Sequence, residues 1–306
     1  MKISGTRVFV TGGAGFIGSH SVDLLLEGGA EVVVYDNFSS GRRSNLADHS
    51  NLTVVEGDIR DAAHVNEAMS GACHVLHLAA QVSVKTAVED PVDSNHNNVL
   101  GFVAVLDAAA RNHVKRLVYA SSAAVYGIPL HDPLSETSPT RPVSPFGLEK
   151  LVNDQYAALF SQFYGLSSLG MRYFNVYGPR QAANSPHAGV ISRFADHLKM
   201  GEPLRVFGDG GQTRDFIHVA DIARINLLAL ESDAGGVCNV GTGASTTLLK
   251  LIDIFGKVAG LTPEIVFEPT IPGDIYHYAM STHKLRTLFG THQPVSLEQG
   301  LPTLLS

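Results

Sequence analysis

Three stretches of the sequence carry residue types suited to binding or catalysis. The first begins at Arg7-Val-Phe-Val-Thr11, an apolar run that breaks into Gly12-Gly13-Ala14-Gly15-Phe16-Ile17-Gly18. Helical periodicity resumes over Ser19 to Glu27. A strand that ends in glycines and opens a helix turns bare N–H groups toward the helix N-terminus. Unpaired donors and the helix dipole hold phosphate there. Gly12 allows the tight turn, Gly15 lets the backbone approach a pyrophosphate, and Gly18 lets the helix pack on the strand. A second apolar run, Glu31-Val-Val-Val-Tyr35, ends in Asp36, 18 residues after Gly18. A carboxylate at that place suits the ribose 2′-OH of NAD and repels the extra phosphate of NADP. Arg42 and Arg43 follow closely and leave NADP as an alternative; a βαβ turn with a surface aspartate is the reading without a ligand. The second stretch is Tyr119-Ala-Ser121-Ser122-Ala-Ala-Val-Tyr-Gly127, at a strand end. The third is Ser144-Pro-Phe146-Gly-Leu-Glu-Lys150, at a helix start, where Phe146 and Lys150 are four apart and share a face.

The elements that must position these residues alternate along the chain. Strand-like runs recur at Asn51 to Glu56, Cys73 to Leu78, Arg116 to Ala120 and Ser167 to Arg172. Between them, Val99 to Arg111 and Glu149 to Phe163 are apolar at helical spacing. This alternation predicts an α/β fold, a Rossmann-type doubly wound parallel sheet with helices on both faces. Ligands bind such sheets beyond the carboxyl ends of the strands. The glycine loop, Asp58, Ala79-Ala80, Ser121-Ser122 and Asn175 all fall there, so one cleft collects them. From about Asn175, glycine and proline punctuate short segments, and a smaller, mixed α/β C-terminal substrate domain is expected. The predicted division is 1–174 for the NAD-binding domain and 175–214 with 243–306 for the substrate domain. The chain is expected to return to the first domain around 215–242.

Composition bounds the function classes. The 306 residues give room for one large or two modest domains. A net charge of −7 without any basic cluster among aromatics argues against nucleic acid as a partner. Cys73 and Cys238 are too few and too far apart for a disulfide framework, which favours a reducing compartment. The chain enters its first strand at once, leaving no room for a signal peptide, and no apolar run reaches membrane-spanning length. A soluble cytoplasmic protein with no membrane partner is therefore expected. The 14 histidines show no metal-type spacing; His74 and His77, three apart on a strand, point to opposite faces. No metal site is expected. The absence of a Gly-x-Ser-x-Gly elbow argues against a hydrolase.

With these motifs in order, the chain resembles the extended short-chain dehydrogenase/reductase family, specifically its NAD-dependent nucleotide-sugar epimerases. The resemblance spans nearly the whole chain. It runs through Thr11–Gly18, Asp36-Asn37, Gly57-Asp58-Ile59-Arg60, Asn98, Ser122, Lys150, Arg172-Tyr-Phe-Asn175, Arg214-Asp-Phe-Ile-His-Val219 and Pro272-Gly-Asp274. It implies NAD as cofactor. Gly12, Gly15, Phe16 and Ile17 would take the pyrophosphate side, with Asp36, Asn37, Ser39, Gly41, Asp58 and Ile59 on the adenosine side. Leu78, Ala79, Ala80, Asn98, Lys150 and Tyr173 would complete the cofactor set.

The family pattern is Tyr-x-x-x-Lys, and this sequence has Phe146 where that Tyr belongs. In the family the phenolate takes the proton of the sugar's 4-OH while hydride leaves C4, and Ser122 would share the hydrogen bond to that hydroxyl. The Lys lowers the phenol's pKa and holds the nicotinamide ribose. Phe146 keeps the ring and loses the oxygen, so this chain is expected to be severely slowed or inactive. An engineered Tyr→Phe change, a natural pseudoenzyme or a different base would each account for it. Ala123 and Ala124 occupy the positions where related dehydratases and decarboxylases carry acids, which leaves epimerisation at C4. By resemblance, Asn175 and Arg214 would bind the diphosphate, with a guanidinium fork suited to phosphate. Phe207 and the backbone around Val190 would hold uracil, Asp274 the nucleotide ribose and Ser83 the sugar. Ile271 stands where many members have an arginine. Tyr278 falls where a bulky residue limits room beside C2 and favours UDP-glucose and UDP-galactose. Asn184 to Ile191 resembles members that accept the N-acetylated pair instead. The balance favours the non-acetylated sugars. The family also implies a homodimer built on Val99 to Arg111 and Glu149 to Phe163. The alternatives are a non-catalytic NAD/UDP-sugar binding protein and another C4-oxidising enzyme such as a dehydratase.

Overall fold

Apolar strands and helices alternate in space as they do in sequence. The computed structural model describes residues 3–181, 189–270, 275–291 and 293–305. The chain runs β1 (Arg7–Thr11), α1 (Phe16–Glu27), β2 (Glu31–Asp36), β3 (Leu52–Glu56), α2 (Ala62–Ala68), β4 (His74–His77), α3 (Val84–Glu89), α4 (Pro91–Asn95), α5 (Gly101–Arg111), β5 (Arg116–Ser122), α6 (Pro145–Tyr164) and β6 (Ser168–Tyr173). It continues through β7 (Asn175–Tyr177), α7 (Val190–Met200), β8 (Leu204–Phe207), β9 (Thr213–His218), α8 (Val219–Leu230), β10 (Gly236–Val240), β11 (Ser245–Thr247), α9 (Leu248–Ala259) and β12 (Ile265–Glu268). Seven strands form one parallel sheet in the order β10-β6-β5-β4-β1-β2-β3.

Strand alternation divides the core into two layers. Val8, Val10, Val32 and Val34 face α1 and α8, where Val22, Leu25, Ile222 and Ile225 meet them. Phe9, Val33 and Tyr35 face the other side and pack with Val65, Phe102, Leu106, Ala157 and Phe160 of α2, α5 and α6. A third cluster, including Phe194, Leu204, Val206, Leu251 and Phe255, belongs to α7, α9 and the β8–β12 pair. A separate, mixed sheet runs β11-β9-β7: β9 is antiparallel to β11 and parallel to β7.

The helix ends explain where the sequence reading was short. α1 begins at Phe16 rather than Ser19, because Gly15 already serves as its N-cap. α6 begins at Pro145, a residue that needs no N–H partner at the first helical position. Ser144 caps it, its Oγ accepting the Gly147 N–H at 3.1 Å, and Gly165 ends it in the left-handed region at φ +67°. The helix expected from Val99 starts instead as a wide turn of π type, His96–Leu100, which passes into α5 at Gly101. Such turns insert one residue into the helical register and often accompany functional positions. Here the turn carries Asn98. Among the described residues no helix is long and apolar enough to cross a membrane, and no group of His, Cys, Asp and Glu is placed to hold a metal.

Candidate active site

The glycine loop is shaped by what its backbone must touch. Gly12 sits at φ +68°, and a Cβ there would lie 2.6 Å from the Ala79 nitrogen. Leu78 and Ala79 are thereby set against the turn, with Ala80 next in the chain. A Cβ on Gly18 would run into the Gly12 carbonyl oxygen. No side chain caps α1 and no acid occupies its first turn. The Phe16, Ile17 and Gly18 N–H groups therefore have no acceptor one turn back, at the positive end of the helix dipole.

Asp36 closes this end of the cleft. It accepts the Ala14 N–H at 2.9 Å and the Phe38 N–H at 2.8 Å. Burial raises its carboxyl above the ordinary range, against the pull of those two bonds. Each oxygen keeps a further lone pair for a hydroxyl. The loop carrying Asn37, Ser39 and Gly41 is pinned across the turn: the Arg42 N–H and the Asn45 side chain both donate to the Ala14 carbonyl, at 3.0 and 2.8 Å. Asn37 accepts the Ser39 N–H at 3.1 Å and donates to Asp58 at 3.0 Å. Arg60, bonded to Asp58 at 2.8 Å, holds that carboxyl down at about 2. Ile59 is buried against Gly101. A glycine turn without room for Cβ, an uncapped helix start and a carboxylate one strand away fit a dinucleotide's pyrophosphate and ribose.

The second group converges where β5 ends. The Ser122 Oγ accepts the Ala124 N–H at 3.1 Å and opens a single helical turn, Ala123–Tyr126. α6 abuts this turn so closely that a Cβ on Gly147 would lie 2.6 Å from the Ala124 carbonyl oxygen. Lys150 is 3% exposed and donates to the Ala120 carbonyl at 2.9 Å. The Phe146 ring centre is 5.7 Å from its Nζ. One helix face thus brings Phe146 and Lys150 against the strand that carries Ser122. Burial pushes Lys150 down to about 8, opposed by the charges of Asp154 and Glu149. Burial, with the Lys150 charge second, pushes His77 down to about 3. Thr11 Oγ1 accepts the Leu78 and Ala79 N–H groups at 3.2 and 3.3 Å, so its hydroxyl donates to the neutral His77 Nδ1 at 2.8 Å. Phe146, Ala123 and Ala124 supply no group able to move a proton.

Behind Lys150 lies a polar cluster that the sequence reading passes over except for Asn98. Buried Glu149 accepts from Ser94 at 3.0 Å and from the Asn98 amide at 2.6 Å. Asn98 also brackets the Gln81 backbone, accepting its N–H and donating to its carbonyl, both at 2.8 Å. Asn153 donates to the Asn98 carbonyl at 2.9 Å. The signal was present in α6: Phe146, Glu149, Lys150, Asn153, Asp154, Ala157 and Phe160 recur at helical spacing, so its inward face is polar for two turns. Gln81 carried no such signal.

The expected sugar end is built from side chains already bonded within the protein. Ser83 is buried, caps α3 by accepting the Thr86 N–H at 3.0 Å, and is bonded through its own N–H to Gln81. Asn175 donates to the Asp215 carbonyl at 3.2 Å. Arg214 Nη1 donates to the Thr213 and Ile275 carbonyls at 2.8 and 2.6 Å, which ties the 275–278 segment to β9. Phe207 ends β8 with 37% of its surface exposed, and Val190 opens α7. Tyr278 is 5% exposed; its hydroxyl donates to the Ala123 carbonyl at 2.5 Å and its ring packs on Phe174. The Tyr173 hydroxyl is turned away from the cleft, donating to Asn226 at 2.6 Å, so only its ring and backbone can serve a cofactor. Asp274, Ile271 and residues 184–188 of the expected loop lie outside the described residues.

Comparison with known proteins agrees with this arrangement. The model of the NAD dependent epimerase/dehydratase family matches residues 8–241. A putative UDP-glucose 4-epimerase of Methanocaldococcus jannaschii is 36% identical over 303 residues, covering 98% of this chain and 97% of the relative. A solved structure of UDP-N-acetylglucosamine 4-epimerase from Methanobrevibacter ruminantium, in complex with UDP-N-acetylmuramic acid, superposes with a TM-score of 0.94. It is 38% identical, with 98% of this chain and 97% of that one covered. UDP-glucose 4-epimerase from Thermus thermophilus, in complex with NAD, gives a TM-score of 0.89 at 39% identity, covering 98% of both chains. Matches of this extent, over a chain whose own geometry suits a dinucleotide, place the protein in the NAD dependent epimerase/dehydratase family.

Proposed function

We propose that this chain is an NAD-dependent UDP-hexose 4-epimerase scaffold whose proton-transfer position is occupied by Phe146. The observation that carries the reading is the face of α6 that brings Phe146 and Lys150 to the end of β5, with Lys150 bonded to Ala120 and only alanines after Ser122. NAD, when bound, would supply the acceptor and donor of hydride for C4 of the sugar. Ser122 holds the 4-OH. Lys150 holds the nicotinamide ribose, and its buried charge favours the anionic form of a phenol placed at 146. No side chain at 123 or 124 removes or donates a further proton, which favours oxidation and re-reduction at C4 over elimination. With a phenol at 146 to take the 4-OH proton and return it, a 4-keto sugar would form, turn over in the pocket and be reduced on its other face; Phe146 leaves that proton without an acceptor.

The complexes of the relatives with NAD and with a UDP-sugar support the same two ligands here. In this reading residues 1–174 form the NAD domain and 175–214 with 243–306 the substrate domain, the chain returning to the first over 215–242. Asn175 and Arg214 take the diphosphate, Phe207 and Val190 the uracil, and Asp274 the ribose. Tyr278, buried beside Ala123, narrows the space beside C2 and favours UDP-glucose and UDP-galactose. Leu148, Tyr156, Leu159 and Phe163 lie exposed on one stripe of α6, as a homodimer interface requires.

Phe146 itself favours a second reading, a protein that binds NAD and UDP-sugar without turnover. Phe146→Tyr separates the two. A positioned acid–base group contributes about 10²–10⁴-fold, and the epimerase reading expects a gain of that size in conversion of UDP-galactose, followed by product NMR. Binding of both ligands with no conversion by either form would favour the binding protein.

A further inference from the structure

The loop that follows β4 is expected to touch both ligands: Ala79 and Ala80 the cofactor, Ser83 the sugar. It has little regular structure of its own before α3 starts at Val84. Its conformation is imposed by side chains instead. Asn98 grips the Gln81 backbone at both its N–H and its carbonyl, 2.8 Å each. The Gln81 side chain in turn grips the Ser83 backbone, accepting its N–H and donating to its carbonyl at 3.1 Å.

A primary amide makes such a bracket in only one orientation; flipped, it opposes donor to donor and acceptor to acceptor. Gln81 is oriented by Ser83. Asn98 is oriented by the Glu149 carboxylate, which can only accept and which takes the Asn98 amide at 2.6 Å. Ser94 donates to the same carboxylate oxygen at 3.0 Å. Glu149 is 4% exposed and immediately precedes Lys150, so one turn of α6 fixes both the β5 end and this loop.

We propose that Glu149 is a positioning residue: it locks Asn98 in one orientation, and Asn98 and Gln81 then hold the 79–83 loop in the shape that receives cofactor and sugar. This rests on the epimerase reading above. Glu149 acts before the loop, on everything the loop binds, whereas the Gln81 side chain acts only on the Ser83 end.

Calorimetric titration tests this without turnover, using NAD on cofactor-stripped protein and UDP-glucose on NAD-loaded protein. Glu149→Met leaves the Asn98 amide without its acceptor. Hydrogen bonds to charged groups contribute about 1.5–3 kcal/mol, which converts to about 10- to 100-fold weaker NAD binding. Glu149→Gln keeps one oxygen for both donors and is expected to stay within about fivefold of the parent, since only the charge assistance is lost. Gln81→Ala spares both Asn98 bonds to the backbone. It is expected to weaken UDP-glucose by about 3- to 10-fold and to leave NAD within about twofold.

A Glu149→Met protein that melts earlier but binds NAD like the parent would overturn the proposal, leaving Glu149 a packing residue. So would a Gln81→Ala protein that loses both ligands equally, and this arm decides the matter if Glu149→Met does not fold. A parent that binds neither ligand would instead refute the epimerase reading on which the proposal stands.

Discussion

The two ends of the cleft are built from different materials. The dinucleotide end is made of backbone: Gly12 lies against Ala79, Gly18 against the Gly12 carbonyl, and α1 starts with its N–H groups uncapped. The end around Lys150 is made of buried, mutually bonded side chains. Asp154 accepts from Tyr119 at 3.0 Å and from Arg172 at 3.0 Å, and Arg172 donates to the Tyr126 hydroxyl at 2.8 Å. Tyr126 donates in turn to Asn239 at 2.7 Å. A backbone site is set chiefly by the room its glycines leave, and a side-chain network chiefly by the pairing of its polar groups. The same chemical change is therefore expected to have unequal consequences at the two ends.

The largest effect on ligand binding is expected from one added methyl group at the backbone end. Gly18→Ala puts its Cβ into the Gly12 carbonyl and against the Gly13 Cα, backbone atoms that cannot rotate aside as a side chain would. Overpacking of this kind costs about 1–3 kcal/mol, occasionally more, and backbone against backbone falls at the upper end. Relief by widening the loop displaces the uncapped N–H groups as well. NAD binding is expected to fall beyond detection by titration, with a lower thermal midpoint. Normal NAD affinity in a folded Gly18→Ala protein would contradict the backbone account.

That contrast also explains what the sequence disclosed. Glycine, strand and helix patterns are local, so the βαβ unit, Asp36 and the α/β class were legible, as was the face shared by Phe146 and Lys150. Asn98 was found only through a family likeness, because the π-type turn that presents it shifts the helical register by one residue. Gln81 and Glu149 were not found. Their role comes from pairing with Asn98, 17 and 51 positions away, and no local pattern encodes such pairing. The Tyr278 hydroxyl tells the same story: its acceptor, the Ala123 carbonyl, is 155 positions away.

An effect on stability rather than on ligand binding sharpens the comparison through charge. Asp154–Arg172 and Asp58–Arg60 are both carboxylate–guanidinium pairs, one at each end. The first has side chains 6% exposed on both partners; in the second, Arg60 is 44% exposed. Removing one partner of a buried pair leaves the other charge without compensation, at a cost of about 3–5 kcal/mol. An exposed pair contributes about 0–1 kcal/mol. Asp154→Asn is thus expected to lower the urea midpoint markedly and Asp58→Asn hardly at all. Equal losses would mean that the two ends do not differ in kind.

The most gradual effect concerns Lys150 and its pH dependence. An unfolded lysine titrates near 10.4, whereas burial pushes Lys150 down to about 8 in the folded chain. Between these values the unfolded chain binds a proton that the folded one does not. Stability therefore rises with pH across this window, by at most about 1.4 kcal/mol per unit. Below pH 8 the lysine is charged in both states, and the folded protein bears the full desolvation penalty. Lys150→Met removes the titrating group, so the stability difference between mutant and parent is expected to shrink from pH 8 to 10 in urea unfolding at fixed salt. A difference that stays constant would mean that Lys150 is not held in a desolvated state. The same penalty bears on function. A cation kept charged near neutral pH in a buried site is poised to stabilise an anion beside it, and Phe146 is the residue its Nζ faces.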